Sequence, residues 1–207
     1  MPTAVDVNHD HASVNAWVLW VHDLTFPTLP MTKEQFDLPG ICLALAHLHR
    51  FGGRGRMTIA EHSLHVGDIY RRMFINGEGR DPGEEFHALV HDLHEAFIGD
   101  IPRPVKAKLD FMILNGMDEF DHWVELQFDR PIREILTGQS FPASDEIRDR
   151  VKQCDRLAVV EEMSATIYPY GLIPMRGLTF EHRKDVANQL FTRIMQTADL
   201  LRTPGCA

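Results

Sequence analysis

Histidine and acidic residues are concentrated in one short stretch of the sequence. The 207-residue chain has 12 histidines, and His91, Asp92, His94 and Glu95 lie almost side by side within it. Imidazole is the commonest metal ligand near neutral pH, and carboxylates complete mixed nitrogen and oxygen sites for divalent ions. The stretch therefore predicts a metal-binding site.

Ligands from other helices must complete this site, because adjacent side chains on a helix diverge by about 100°. His62 falls among apolar residues of an earlier predicted helix, and Asp155 falls midway along a later one. A buried aspartate needs a partner. We expect one divalent transition metal, Mn²⁺, Fe²⁺, Co²⁺ or Zn²⁺, in a mixed set of four ligands: His62, His91, Asp92 and Asp155.

The elements that must position these residues are helices. Apolar residues recur at steps of three and four along most of the chain, which predicts an all-α domain. The stretch Thr58-Ile59-Ala60-Glu61 has the form of a capping box, which begins the helix that carries His62. Pro102 helps to end the helix that carries His91, because proline lacks an amide donor. We expect helices at about residues 38–50, 58–74, 84–98, 111–136 with an interruption near Pro131, 144–167 and 180–201.

The first part of the chain differs in character from the rest. Residues 1–16 are polar, and we expect a flexible terminus there. Residues 16–39 contain two tryptophans and several prolines, which predicts a packed, extended arm with a short strand or hairpin. Because neither a repeat nor a linker interrupts the sequence, we expect a single domain over residues 1–207 with a core at about 41–170.

Composition disfavours several classes of protein. The chain has 30 acidic and 21 basic residues and a net charge of -9, which repels polynucleotides. We expect no membrane association, because no run approaches the ~20 apolar residues of a membrane span. Cys42, Cys154 and Cys206 form no C-x-x-C pair. We therefore expect no thiolate metal site. The cysteine pattern favours a reducing compartment, and we expect the cytoplasm.

The order of the candidate ligands resembles a known signature. His62, then His91-Asp92, then Asp155 are similar to the H…HD…D pattern of the HD-domain metal-dependent phosphohydrolases. Residues 91–106 are similar to the H-D-x-x-E…G-D-x-P…V-K segment of the bacterial 5′-deoxynucleotidases and their phage dNTP-hydrolysing relatives. The match spans about residues 41–160. It implies an HD-domain helical bundle in which these four residues hold the metal between helices.

The resemblance also implies two catalytic residues. Glu95 corresponds to the family's catalytic carboxylate. It follows His91 by four positions, so a continuous helix would place both on one face, where Glu95 could orient or deprotonate a water molecule. Asp100 corresponds to a second acidic residue, which acts as general acid or holds the sugar.

Four further residues are expected to contact a substrate. Arg50 matches a family arginine that binds phosphate, and a guanidinium suits this role because it donates two parallel hydrogen bonds. Lys106 is a second candidate for phosphate binding or charge balance. Phe51 stands where the deoxynucleotidases have a tryptophan, so the choice of sugar stays open. Arg54 adds positive charge beside Arg50, which favours a triphosphate on charge alone.

Two histidines near the predicted ligands receive other interpretations. His94 follows His91 by three positions and could support a second metal ion. We favour a role in orienting or packing the site instead. His87 lies one turn before His91, and we interpret it as a structural residue.

The resemblance implies a nucleotidase in which metal-activated water attacks the phosphate of a dNMP. The alternatives are a triphosphohydrolase that releases triphosphate from a dNTP, a phosphodiesterase for cyclic nucleotides, and a catalytically silent module that binds a nucleotide. A structural HD protein without metal would have lost a ligand, and none is missing. The expected partner is a small-molecule nucleotide, with an additional Mg²⁺ allowed on its phosphates. Members of this family commonly form homo-oligomers.

Overall fold

The fold is helical throughout the part of the chain that is described. The computed structural model describes residues 30–113, 119–139, 143–167 and 179–202, and 79% of these residues are helical. No strand or sheet forms within these ranges, where an isolated antiparallel bridge joins His49 to Thr58. The all-α prediction is therefore confirmed. The predicted flexible terminus lies outside the described residues, as does most of the arm predicted over residues 16–39. Its described part, residues 30–39, contains a helical turn at Lys33–Gln35 and the start of a helix at Leu38, and no strand.

The helices are numbered in chain order. The main ones are α1 Leu38–Leu45, α2 Ile59–Tyr70, α3 Glu85–Val90, α4 Glu95–Ile98, α5 Arg103–Ile113, α6 Glu119–Val124, α7 Arg130–Thr137, α8 Asp145–Ile167 and α9 Phe180–Arg202. Shorter helical turns lie at Lys33–Gln35, Arg50–Gly53, Arg71–Ile75, Asn76–Glu78, Pro82–Glu84 and Glu125–Asp129. The predicted bounds of α8 and α9 are correct to within two residues.

The predicted capping box starts α2. The hydroxyl of Thr58 accepts a hydrogen bond from the amide of Glu61 at 3.2 Å, and the Glu61 carboxylate accepts one from the amide of Thr58 at 2.7 Å. These bonds satisfy amides that a helix start leaves without partners. They fix His62 in the first turn of α2, where it is fully buried.

Helix α1 is shorter than predicted. It ends at Leu45 instead of Arg50 because the residues that follow pair with residues 57–59. The carbonyl of Leu48 accepts a hydrogen bond from Ile59 at 2.9 Å, and the amide of Arg50 donates to Met57 at 3.1 Å. This pairing brings Arg50 next to the start of α2.

The prediction of one continuous helix over residues 84–98 is wrong. Helix α3 ends at Val90, and α4 begins at Glu95. Between them the amides bond three residues back: Leu93 to Val90 at 3.1 Å and Glu95 to Asp92 at 3.0 Å. Such turns have three residues each, so side chains three positions apart align. Asp92 therefore lies in line with Glu95.

The segment before α8 also differs from its prediction. Helix α5 begins at Arg103, earlier than the predicted residue 111. The predicted interruption lies at Glu125–Asp129, a wider helical turn just before Pro131. Proline cannot donate to the carbonyl four residues earlier, which is that of Gln127. The amide of Met31 donates to this carbonyl instead, at 3.2 Å.

The core holds the helices of the candidate ligands together. Helix α2 packs against α3 and α8, and α9 packs against α1, α2, α3 and α7. Gly67 of α2 lets α3 approach closely, because a Cβ at this position would lie 2.7 Å from Leu89. Buried side chains of α2, α3 and α8 form a cluster below the site: Val66, Ile69, Tyr70, Ala88, Val151, Cys154 and Ala158. In the part of the chain that is described, no helix has the length and apolar character to cross a membrane.

Substitution of Gly55 tests how the Arg50 turn is held. The amide of Gly55 donates to the Arg50 carbonyl at 2.7 Å, and a Cβ on Gly55 would lie 2.8 Å from that oxygen. We expect Gly55→Ala to lower the free energy of unfolding in urea by about 1–3 kcal/mol, through steric strain.

Gly77→Ala is the matched control. Gly77 lies in a helical turn, and a Cβ there would meet its nearest atom, the carbonyl oxygen of Arg72, at 3.4 Å. Alanine in a helix is favoured over glycine by about 0.5–1 kcal/mol. Gly77→Ala should therefore leave stability unchanged or raise it. Equal losses in the two variants would contradict the account of the Arg50 turn.

Candidate metal centre

His62 and His91 are each held through one ring nitrogen. Nδ1 of His62 donates to the Glu162 carboxylate, and Nδ1 of His91 donates to the carbonyl of Ala88 at 2.8 Å. Histidines that bind metals usually donate their other ring N–H in this way, which fixes the tautomer and the ring orientation. In the neutral form, Nε2 of each ring is left as an acceptor.

The four ligands predicted from the sequence come together. Nε2 of His62 lies 3.1 Å from Oδ1 of Asp155 and 3.8 Å from Oδ2 of Asp92. Nε2 of His91 lies 3.1 Å from the same oxygen of Asp92. The ligand atoms of His62, His91 and Asp155 all lie within 4.8 Å of one another. Helices α2 and α8 and the end of α3 each contribute to this arrangement.

The buried nitrogen atoms of this group fit a cation. Nε2 of His62 and Nε2 of His91 are both buried and have no hydrogen-bond partner among the described residues. A buried polar atom without a partner costs about 1–3 kcal/mol. The nearest polar atoms are carboxylate oxygens, which are also acceptors. A divalent cation would satisfy two nitrogen and two oxygen lone pairs at once, so the donor set suits a first-row metal.

Arg50 lies at the edge of the same group. Its Nη1 is 3.3 Å from Asp92 and its Nη2 is 3.9 Å from Asp155. Its Nε lies 3.5 Å from Glu162. The guanidinium therefore places positive charge beside both ligand carboxylates and beside the carboxylate that holds His62.

The charges of the group shift its pKa values strongly. Burial alone would lower the pKa of His91, but the interaction with the nearby Asp92 carboxylate outweighs burial and raises the pKa to about 9. Burial would raise the pKa of Asp92, but His91 and His62 hold it well below its usual range. Both shifts show that the carboxylate of Asp92 is stabilised by positive charge on the neighbouring imidazoles.

Glu95 is buried next to Asp92. Its exposed fraction is 4%, and burial, followed by the charges of Asp92 and Asp100, raises its pKa to about 9. Glu95 groups with Asp92 and His94, whereas His91 groups with His62 and Asp155. The expectation that a continuous helix aligns Glu95 with His91 is wrong, because the tight turns after Val90 align it with Asp92.

Asp100 and Phe51 both belong to the surroundings of the Arg50 turn. Oδ2 of Asp100 accepts a hydrogen bond from the amide of Gly52 at 3.1 Å. Phe51 has a left-handed backbone with φ of 59°. Its ring is 41% exposed and lies 5.4 Å from the Arg50 guanidinium carbon. The two residues flank Arg50 on the side open to solvent.

The other two predicted substrate residues are Arg54 and Lys106. Arg54 directly follows the Arg50–Gly53 turn, and its side chain is exposed. Nζ of Lys106 lies 5.8 Å from the centre of the Phe120 ring, and the charge of Lys106 acts to lower the pKa of Glu95.

Sequence reasoning missed two carboxylates that orient histidines. Glu162 holds His62, and Asp129 accepts a hydrogen bond from Nδ1 of His94 at 3.2 Å. Glu162 follows Asp155 by seven positions, which is two helical turns and therefore the same face of α8. That spacing was the signal for Glu162. Asp129 is on a different element from His94, and no local pattern connects the two.

Comparisons with known proteins leave the family open. No protein-family model matches this sequence, and no curated protein has significant similarity to it. The resemblance to the HD-domain phosphohydrolases therefore stays a prediction, based on the motif residues. The case for a metal centre depends on the geometry of the ligand atoms and their unsatisfied nitrogens.

Substitution of Glu162 tests the proposed orientation of His62. Glu162→Gln keeps the size of the side chain but removes its charge. We expect the affinity for Mn²⁺ or Co²⁺ to fall about 10–100-fold, as is typical when a carboxylate behind a ligating histidine is lost. Isothermal titration of the metal-free protein would measure this change.

Glu161→Gln is the matched control. Glu161 is the adjacent residue on α8 and pairs with His65 at 2.8 Å, away from the ligand group. We expect its substitution to leave the metal affinity within about twofold of wild type, because exposed ion pairs of this kind contribute little. Similar losses in both variants would contradict a specific role for Glu162.

Proposed function

We propose that the protein is a metal-dependent phosphohydrolase of the HD-domain type, acting on the phosphate of a nucleotide. One observation carries the proposal: the buried Nε2 atoms of His62 and His91 converge with Asp92 and Asp155, beside the buried Glu95. Two imidazoles and two carboxylates from separate elements suit a first-row divalent ion and leave room for other ligands.

The chain's own residues supply most of the proposed mechanism. A divalent cation, when bound, polarises a phosphoryl group and lowers the pKa of a water molecule. Glu95 lies beside Asp92, where it can orient that water and accept its proton. The pKa of Glu95 is raised by burial and by Asp92 and Asp100. Lys106 and Arg50 oppose this rise, and a bound divalent cation would lower the pKa of Glu95 further, toward the range in which its carboxylate acts as a base.

The substrate is proposed from the groups around the Arg50 turn. Arg50 can bind an anionic oxygen with parallel donors, and Lys106 adds positive charge near Glu95. Phe51 is exposed beside Arg50, which suits contact with a nucleoside. Asp100 serves as general acid or as a partner for the sugar. A small anionic nucleotide such as a dNMP fits these groups.

A dNTP is the second candidate substrate. Arg54 is exposed next to the Arg50 turn, where its charge favours a longer phosphate chain. In that case the product is triphosphate, released from the deoxynucleoside. A catalytically silent nucleotide-binding module is disfavoured, because binding alone does not require a buried Glu95 beside the ligands.

The setting of the reaction is part of the same proposal. Cys42 and Cys154 are free and buried, which is compatible with a reducing compartment such as the cytoplasm. Homo-oligomerisation stays a prediction, as does the additional Mg²⁺ on the substrate phosphates.

A product-resolved assay tests the proposed function. Metal-free protein is loaded with Mn²⁺ or Co²⁺ and mixed with dNMPs, NMPs and dNTPs, and the products are separated by chromatography. We expect orthophosphate from a dNMP. We expect Glu95→Gln to lower kcat by about 10²–10⁴-fold, which is the usual contribution of a general base.

Glu161→Gln serves as the control for this assay and should retain wild-type kcat. Triphosphate released from a dNTP would favour the second candidate over the nucleotidase. Absence of turnover on every nucleotide in the panel, despite bound metal, would contradict a nucleotide phosphohydrolase and favour a binding module.

A further inference from the structure

A second group of metal-ligand types lies next to the first. One ligand atom each from Asp92, His94 and Glu95 lie within 4.8 Å of one another. The tight turns after Val90 bring Asp92 into line with Glu95, since residues three positions apart align in such turns. Asp92 belongs to both groups, because one of its oxygens also lies 3.1 Å from Nε2 of His91.

His94 is held in the same manner as His62. Its Nδ1 donates to Oδ1 of Asp129 at 3.2 Å, and the side chain is buried. The neutral imidazole then keeps its lone pair on Nε2. A carboxylate behind an imidazole is the arrangement that orients histidine ligands in metal sites. It goes beyond the packing role that the sequence favours for His94.

Glu95 supplies an independent indication of a missing partner. Its Oε2 atom is buried and has no hydrogen-bond partner among the described residues. Only 4% of the residue is exposed. Buried carboxylate oxygens are normally hydrogen-bonded or bound to a cation. The neighbours Asp92 and Asp100 are themselves acidic, so a cation is the partner that suits this oxygen.

We propose that Asp92, His94 and Glu95 bind a second divalent cation, with Asp92 shared between it and the ion held by His62, His91 and Asp155. The shared Asp92 carboxylate has two oxygens and can serve both ions. Glu95 would bind the second ion through Oε2, which leaves its other oxygen for the proton transfer assigned to Glu95 above. The mixed nitrogen and oxygen donors suit Mn²⁺ or another first-row ion. The inference rests on the proposed function, since a pair of ions can bind both the attacking and the leaving oxygen of a phosphoryl group.

Metal stoichiometry tests this proposal. Metal-free protein is dialysed to equilibrium against Mn²⁺, and bound manganese is measured per chain by mass spectrometry. We expect two ions in the wild type and one in His94→Gln. Electron paramagnetic resonance should show an exchange-coupled pair in the fully loaded wild type and the six-line signal of an isolated ion in His94→Gln.

Two further variants keep the result independent of folding defects. His65→Gln removes a histidine that also pairs with a carboxylate, Glu161, but outside both groups, and it should keep two ions. Asp129→Asn leaves His94 in place and should weaken the second ion about 10–100-fold while the first stays bound. Circular dichroism of each variant checks that the helices are intact.

The outcomes separate this inference from the proposed function. One ion in the wild type, lost in His62→Gln and retained in His94→Gln, would overturn the second site and leave the first intact. Two ions in a folded His94→Gln would also overturn it, because His94 would then not be a ligand. No bound manganese in the wild type would contradict both proposals.

Discussion

Burial of several carboxylates in one place is the constraint on which this structure depends. Asp92, Glu95 and Glu162 are largely enclosed, and Asp155 borders them. Removing ions from water costs several kcal/mol each unless opposite charge lies close by. Arg50 supplies one positive charge next to three of these groups. Divalent cations supply the rest in our account, and they also satisfy buried imidazole nitrogens that have no other described partner.

The fold serves this group through local devices of different kinds. The capping box at Thr58 fixes where α2 begins and therefore where His62 lies. Gly67 allows α2 and α3 to approach, which brings His62 and His91 to a ring separation of 5.4 Å. Gly55 folds back on the Arg50 carbonyl and holds the guanidinium beside the carboxylates. Each device acts on backbone position, and together they bring the ligand atoms close to one another.

The ligand residues could be predicted from the sequence, but the backbone turns and long-range contacts that position them could not. His62 was identifiable from its capping box and apolar face, and Asp155 from its position in a long amphipathic helix. The tight turns after Val90 could not be predicted, because the apolar spacing there fits a regular α-helix equally well. Tertiary packing decides between the α-helix and the tighter turns. The early end of α1 depends on pairing between Leu48 and Ile59, which no local pattern encodes. Contacts between distant elements, such as His94 with Asp129, need the folded chain.

Anomalous diffraction from crystals grown with Zn²⁺ would show whether His62 and His91 hold a metal ion. Data collected on both sides of the zinc absorption edge locate the ion without reference to activity. We expect a zinc peak about 2.1 Å from Nε2 of both His62 and His91, with Asp92 and Asp155 completing the coordination. Zinc bound only elsewhere, while the two imidazoles stay uncoordinated and Arg50 remains paired with Asp92, would contradict this expectation.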